Sequence, residues 1–147
     1  MPATVAPAAQ TDVIVIGGGP AGSTVSTLLA RRGWQVAMFE KERHPRFHIG
    51  ESLLPMNMPI VERLGAMHKL QAIGVIKLGA DFEAANERGY NTFEFARALG
   101  DSPPHAFQVK RQEFDEMLFR HAAENGVQAF EAARVADFAF DADGVDV

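Results

Sequence analysis

The sequence predicts an α/β fold in which a parallel sheet is interrupted by inserted helices and antiparallel strands. Three observations predict it. An apolar run, Val13-Ile14-Val15-Ile16, empties into Gly17-Gly18-Gly19-Pro20-Ala21-Gly22, and a helix of small residues follows. A second apolar run, Val36-Ala37-Met38-Phe39, closes on Glu40. Segments that alternate with period two then separate this start from an amphipathic helix and a third short apolar run. Strand, turn, helix, strand and acid make a Rossmann-like dinucleotide-binding pattern, with G-x-G-x-x-G at Gly17, Gly19 and Gly22.

Bulk properties bound the remaining choices. With 147 residues, 47% of them hydrophobic, the chain has the length and composition of one domain. A net charge of −5 and no long basic block argue against nucleic acid or an anionic membrane as partner. The absence of cysteine removes disulfides, thiolate metal sites and Cys nucleophiles, and fits a reducing cytoplasm. Residues 1–10 are rich in Ala and Pro, lack the basic start of a secretory signal, and read as a disordered leader before a domain at 11–147. The apolar density from Val13 to Ala30 is broken by Gly-Gly-Gly-Pro and by Ser23, Thr24, Ser26 and Thr27, so it is not a membrane span.

The first strand is apolar throughout, as a central parallel strand buried on both faces should be. Gly17 allows the tight turn, Gly19 lets a pyrophosphate approach the backbone, and Gly22 lets helix and strand pack closely. Amides at the start of the helix, which runs from about Ala21 to Arg32, face the phosphates at the positive end of its dipole. Arg31-Arg32-Gly33 ends it with a basic last turn and a glycine cap. Glu40 can accept both ribose hydroxyls, and its charge disfavours a 2′-phosphate, which points to FAD or NAD rather than NADP.

Lys41-Glu42-Arg43-His44-Pro45-Arg46 is a charged connector. Lys41 and Arg43 can flank the adenine or its phosphate, whereas Glu42 and Arg46 read as solvated loop. His44 and His48 are four apart, but Pro45 argues against a helix that would aim both at one metal, and no metal site is assigned. In Phe47-His48-Ile49-Gly50-Glu51-Ser52-Leu53-Leu54-Pro55, Gly50 permits a close backbone approach and Ser52 can cap a helix begun by Pro55. That helix reaches Leu64, and a second spans Met67 to Ile73. A strand carrying Lys77 to Phe82, a turn at Asn86-Glu87-Arg88-Gly89 and an alternating strand from Tyr90 to Phe95 follow.

After a loop at Asp101-Ser102-Pro103-Pro104, a strand from His105 to Val109 leads to a helix over Gln112 to Asn125. Its apolar stripe is Phe114, Met117, Leu118, Phe119 and Ala122, and Gly126 caps it. Val127 to Phe130 reads as a third strand of the nucleotide sheet. A strand at Phe138-Ala139-Phe140, a turn and a strand that has only begun follow, so the chain reads as a fragment truncated at its C-terminus. Residues ~75–110 begin an inserted, substrate-side segment, which sets the order apart from an ordinary NAD dehydrogenase half.

Five stretches occur in one order: Val15 to Ser23, Phe39-Glu40-Lys41, Phe47 to Pro55, Lys77 to Phe82, and Lys110-Arg111-Gln112-Glu113-Phe114-Asp115. The set resembles the N-terminal third of the flavin-dependent (tryptophan-halogenase-like) halogenases, especially those acting on phenols and pyrroles. It is also similar to their relatives, the FAD-dependent monooxygenases and geranylgeranyl-reductase-like oxidoreductases. The resemblance runs over nearly the whole chain after the leader and implies a Rossmann-like FAD-binding domain of glutathione-reductase-like topology, with FAD as cofactor. It places Gly17, Gly19, Pro20, Ala21, Gly22 and Ser23 at the pyrophosphate, Glu40 on the adenosine ribose, and Lys41 and Arg43 near the adenine. Ile49, Gly50, Glu51 and Ser52 would line the flavin side, and Arg111 would reach the cofactor from the other side.

Lys77 stands where halogenases carry a lysine that serves hypochlorous acid, by hydrogen bonding or as a chloramine; the plain alternative is a surface charge. A lysine suits that chemistry because an amine is a nucleophile toward chlorine. The implied activity is halogenation of an electron-rich aromatic substrate with reduced FAD, oxygen and halide, served by a separate flavin reductase. Hydroxylation by a monooxygenase, or reduction of double bonds, is the enzymatic alternative. The third reading is an inactive fragment that only binds FAD. The W-x-W-x-I-P segment that marks halogenases lies beyond Val147 in that family.

Overall fold

In the computed structural model the described residues are 10–83 and 89–147. The expected leader up to residue 9, and residues 86–88 of the expected turn, lie outside them. Along the chain come β1 (Val13–Ile16), α1 (Pro20–Ala30), β2 (Val36–Phe39), α2 (Met58–Arg63), α3 (Met67–Ile73), β3 (Val75–Lys77), β4 (Gly79–Glu83) and β5 (Tyr90–Glu94). Then follow β6 (Ala106–Gln108), α4 (Arg111–Glu124), β7 (Gln128–Phe130), β8 (Ala139–Phe140) and β9 (Val145–Asp146). Contacts divide them into two units, one drawn from Met1–Arg46 with Asp115–Val147, the other Phe47–Phe114. Among the described residues no helix is long and apolar enough to cross a membrane.

The first unit is built on a parallel sheet of order β1-β2-β7, with Val13 paired to Val36 and Phe39 to Phe130. Parallel strands need long crossovers, which α1 and the chain between β2 and β7 supply. Val36, Met38, Phe119, Ala122 and Val127 form the buried core, with Val13, Val15, Leu29, Ala30 and Ala129 packed against it. Burial of a side chain such as Met38 or Phe119 contributes about 1.5–3 kcal/mol. One expectation is corrected here: the central strand is β2, and β1 is only half-buried, with Ile16 58% exposed. Its apolar run matched a central strand, but strand order is set by the pairing of β7 on β2. The β8–β9 hairpin closes at Asp141, whose Oδ1 accepts the amides of Asp143 and Gly144.

In the second unit β3 pairs antiparallel with β6, and β4 with β5. Val61, Leu64, Leu70 and Phe107 are buried. The strand expected from Lys77 to Phe82 is therefore two strands broken at Leu78. The helix expected from Pro55 starts as a 3-10 turn, Pro55–Asn57, and Ser52 does not cap it. Asn57 Oδ1 takes the Leu54 amide instead, while Ser52 forms an antiparallel bridge with Gln108. The Leu53 amide donates to the Phe107 carbonyl, and the Val109 amide to that of Glu51. Residues 51–53 thus run along β6, tied to it by an isolated bridge at Ser52.

Candidate functional site

The residues singled out from the sequence fall into two groups, one in each unit. In the first unit Gly19 is the N-cap of α1 and Pro20 its first residue, and no side chain caps the start. The loop is held from beneath. A Cβ on Gly22 would lie 1.9 Å from the Gly17 carbonyl oxygen, and one on Gly18 would lie 2.6 Å from the Phe119 ring. A Cβ on Gly17, by contrast, would meet nothing within 4 Å. Ser23 is buried and its hydroxyl donates to the Gly18 carbonyl at 3.0 Å, so it braces the loop from within. Ala21 is exposed, as are Lys41 and Arg43.

Glu40 is buried at the end of β2. Its Oε2 accepts the Gly18 amide at 2.9 Å, its Oε1 the Glu42 amide at 3.0 Å, and Arg46 Nη2 lies 3.4 Å from Oε2. Burial pushes this carboxyl up, but the Glu42 and Gly18 amides and the charges of Arg46 and His44 outweigh it and hold it below the usual range. A carboxylate offers about four acceptor positions, so three protein donors leave room for a ribose hydroxyl.

Arg46 is corrected from the solvated loop residue expected of it. Its side chain is 11% exposed and lies among Glu40, Glu42 and Asp115. Nε and Nη1 are buried with no hydrogen-bond partner, and Nη2 would be 3.4 Å from a Cβ on Gly19. His44, buried in the same connector, packs with its ring tilted against Phe119, centres 4.7 Å apart, and bonds Glu131 through Nδ1 at 2.9 Å.

In the second unit the structure brings six predicted residues together. Gly50 has φ +102, which favours glycine, and a Cβ there would lie 3.0 Å from Arg111 Nη1, so the guanidinium would have to give way. Arg111, opening α4, donates to the Ile49 carbonyl at 2.9 Å. Glu51 and Ser52 are held on β6 as described, and the Ile49 side chain is 82% exposed. Lys77 stands opposite Ala106 in the β3–β6 ladder. Its Nζ donates to Ser52 Oγ at 2.5 Å and lies 5.1 Å from the centre of the Phe95 ring.

The geometry defines a dinucleotide-binding α/β protein: parallel strands, an uncapped helix start at a glycine loop, and a buried acid at the end of the second strand. The chain belongs to the FAD binding domain family, whose match covers residues 10–147. It is 45% identical over 133 residues to the tryptophan 2-halogenase of Chondromyces crocatus, covering 90% of this chain and 24% of that protein. Among solved structures it is similar to the myxobacterial chondrochloren halogenase, with TM-score 0.82, 41% identity, and coverage of 90% of this chain and 31% of that one. A flavoprotein/dehydrogenase from Cytophaga hutchinsonii gives TM-score 0.83 and 36% identity over 88% of this chain and 32% of its own. The chain spans about a quarter of the length of the curated relatives it matches.

The residues present fit FAD. The Arg46 guanidinium, whose Nη2 borders Gly19, gives the glycine loop a positive charge that suits an anionic diphosphate, and Glu40 retains acceptor capacity for a ribose. Sequence reasoning missed Gly18, Arg46, Asp115 and Phe119. Gly18 stood in the motif's free position, although a third consecutive glycine was a signal. Phe119 and Asp115 stood in stretches singled out for other reasons, the apolar stripe of the helix and the Lys110–Asp115 run, and nothing local marked Arg46.

Proposed function

We propose that this chain is the FAD-binding portion of a flavin-dependent halogenase that acts on an electron-rich aromatic substrate with oxygen and halide. The observation that carries this reading is the placement of Lys77, whose Nζ is fixed by Ser52 Oγ and the face of Phe95. The halogenases among its relatives support it. The glycine loop, with Glu40 and Arg46, would hold the diphosphate and ribose; Ile49 to Ser52 and Arg111 would line the flavin. Bound FAD, reduced by a separate flavin reductase, would supply the two electrons that bring oxygen to the peroxide level, at which it can oxidise halide to hypohalous acid. Lys77 then acts on hypochlorous acid. As an ammonium it donates a hydrogen bond to it; as an amine it takes up chlorine, with water leaving. Ser52 limits the sweep of its long side chain, and Phe95 accepts the charge on its ring face. The proposed compartment is the cytoplasm, consistent with the lack of cysteine.

The test is turnover of the full-length protein with chloride, oxygen and reduced FAD. Chlorinated product should form, and Lys77→Ala should abolish it while FAD is retained. Unchanged chlorination by that variant would remove Lys77 from the chemistry. Hydroxylated product in place of chlorinated product would favour the monooxygenase reading.

A further inference from the structure

The Arg111 to Asp115 stretch contributes its arginine to the second-unit group, but its aspartate has had no part so far. Asp115 is fully buried on α4. Its Oδ2 lies 3.7 Å from Arg46 Nη1, while Nη2 of the same guanidinium reaches Glu40 Oε2 at 3.4 Å. An arginine in a short connector gains hydration by turning outward, so something must hold this one inward. Of its three acidic neighbours, Glu42 is half exposed and Glu40 borders the glycine loop. Asp115 alone is wholly enclosed and sits on a regular helix, the more rigid anchor.

We infer that Asp115 is a positioning residue for the adenosine end of the dinucleotide site: it anchors Arg46, and Arg46 in turn orients the Glu40 carboxylate and lies against Gly19. Asp115 need not touch the ligand to act. This rests on the reading that Glu40 and the glycine loop hold FAD. The groups that face Glu40 are the Gly18 and Glu42 amides, Arg46 and His44, with Glu131 behind His44 and Asp115 behind Arg46.

The experiment measures FAD dissociation constants of the flavin-stripped, full-length protein between about pH 4 and 8, together with urea unfolding of each apoprotein. Asp115→Asn and Arg46→Met should each weaken FAD binding about tenfold and move the acid limb of affinity to higher pH. Arg46→Lys, which keeps the charge, should leave that limb near its wild-type position. Because breaking one partner of a buried pair can unfold a protein, an Asp115→Leu/Arg46→Met double variant removes both charges. It should unfold like wild type yet bind FAD as weakly as Arg46→Met, an outcome a merely structural pair would not give. Wild-type affinity and acid limb in Asp115→Asn, or wild-type affinity in the double variant, overturns the inference. If Glu40→Gln binds FAD as wild type does, the underlying reading of the site fails, and the inference with it.

Discussion

One methyl group at Gly22 would put carbon 1.9 Å from a backbone oxygen, a clash that no side-chain movement relieves. Gly22→Ala should therefore lose FAD binding and cost about 1–3 kcal/mol of stability, read by flavin titration and urea unfolding. Phe95→Leu makes a finer test, since it keeps apolar bulk but removes the ring face beneath Lys77. Under the proposed halogenase function, chlorinated product per FADH2 consumed by the full-length protein should fall while FAD affinity stays at the wild-type value. Gly17, Gly22 and Glu40 were legible in the sequence because their spacing along one strand–turn–helix–strand carries the message. Arg46 was not: a basic residue beside Pro45 looks solvated until Asp115, far along the chain, is brought against it.

Among the elements, α4 places Asp115 beside Arg46 and Phe119 beneath Gly18. Phe119→Ala should leave a cavity under the glycine loop, lower stability by about 3–5 kcal/mol and weaken FAD binding. Equilibrium unfolding and flavin titration of the same preparation would check both. Helix α3 was legible to the residue, because Gly74 stops it cleanly. The capping role expected of Ser52 failed because the Leu53 amide donates to Phe107 in β6 and the Glu51 carbonyl accepts from Val109 just after it, a pairing no local pattern announces. The same limit applies to β1, whose apolar run suited a central position that β2 holds instead.

At the scale of the whole molecule, two carboxyls among the described residues, Glu40 and Glu131, are held below the usual range and contribute to the response to acid. Burial raises both Glu40 and Glu131. In Glu131 the His44 amide and ring and the Arg120 guanidinium outweigh burial, so it too titrates below the usual value of 4.5. A depressed carboxyl stabilises the folded state fully above its unfolded value, and that contribution fades as pH falls through the folded one. The urea midpoint of the apoprotein should hold steady down to the ordinary carboxylate range and then drop, and Glu131→Gln should flatten the drop. The pairing of β2 with β7 has a consequence during synthesis. Phe39 leaves the ribosome long before its partner Phe130, a wait on the order of 5–20 s at typical elongation rates. The intervening Phe47–Phe114 unit is complete by then, while the β2 edge and Met38 stay open, making the nascent nucleotide sheet the stretch a chaperone would have to guard.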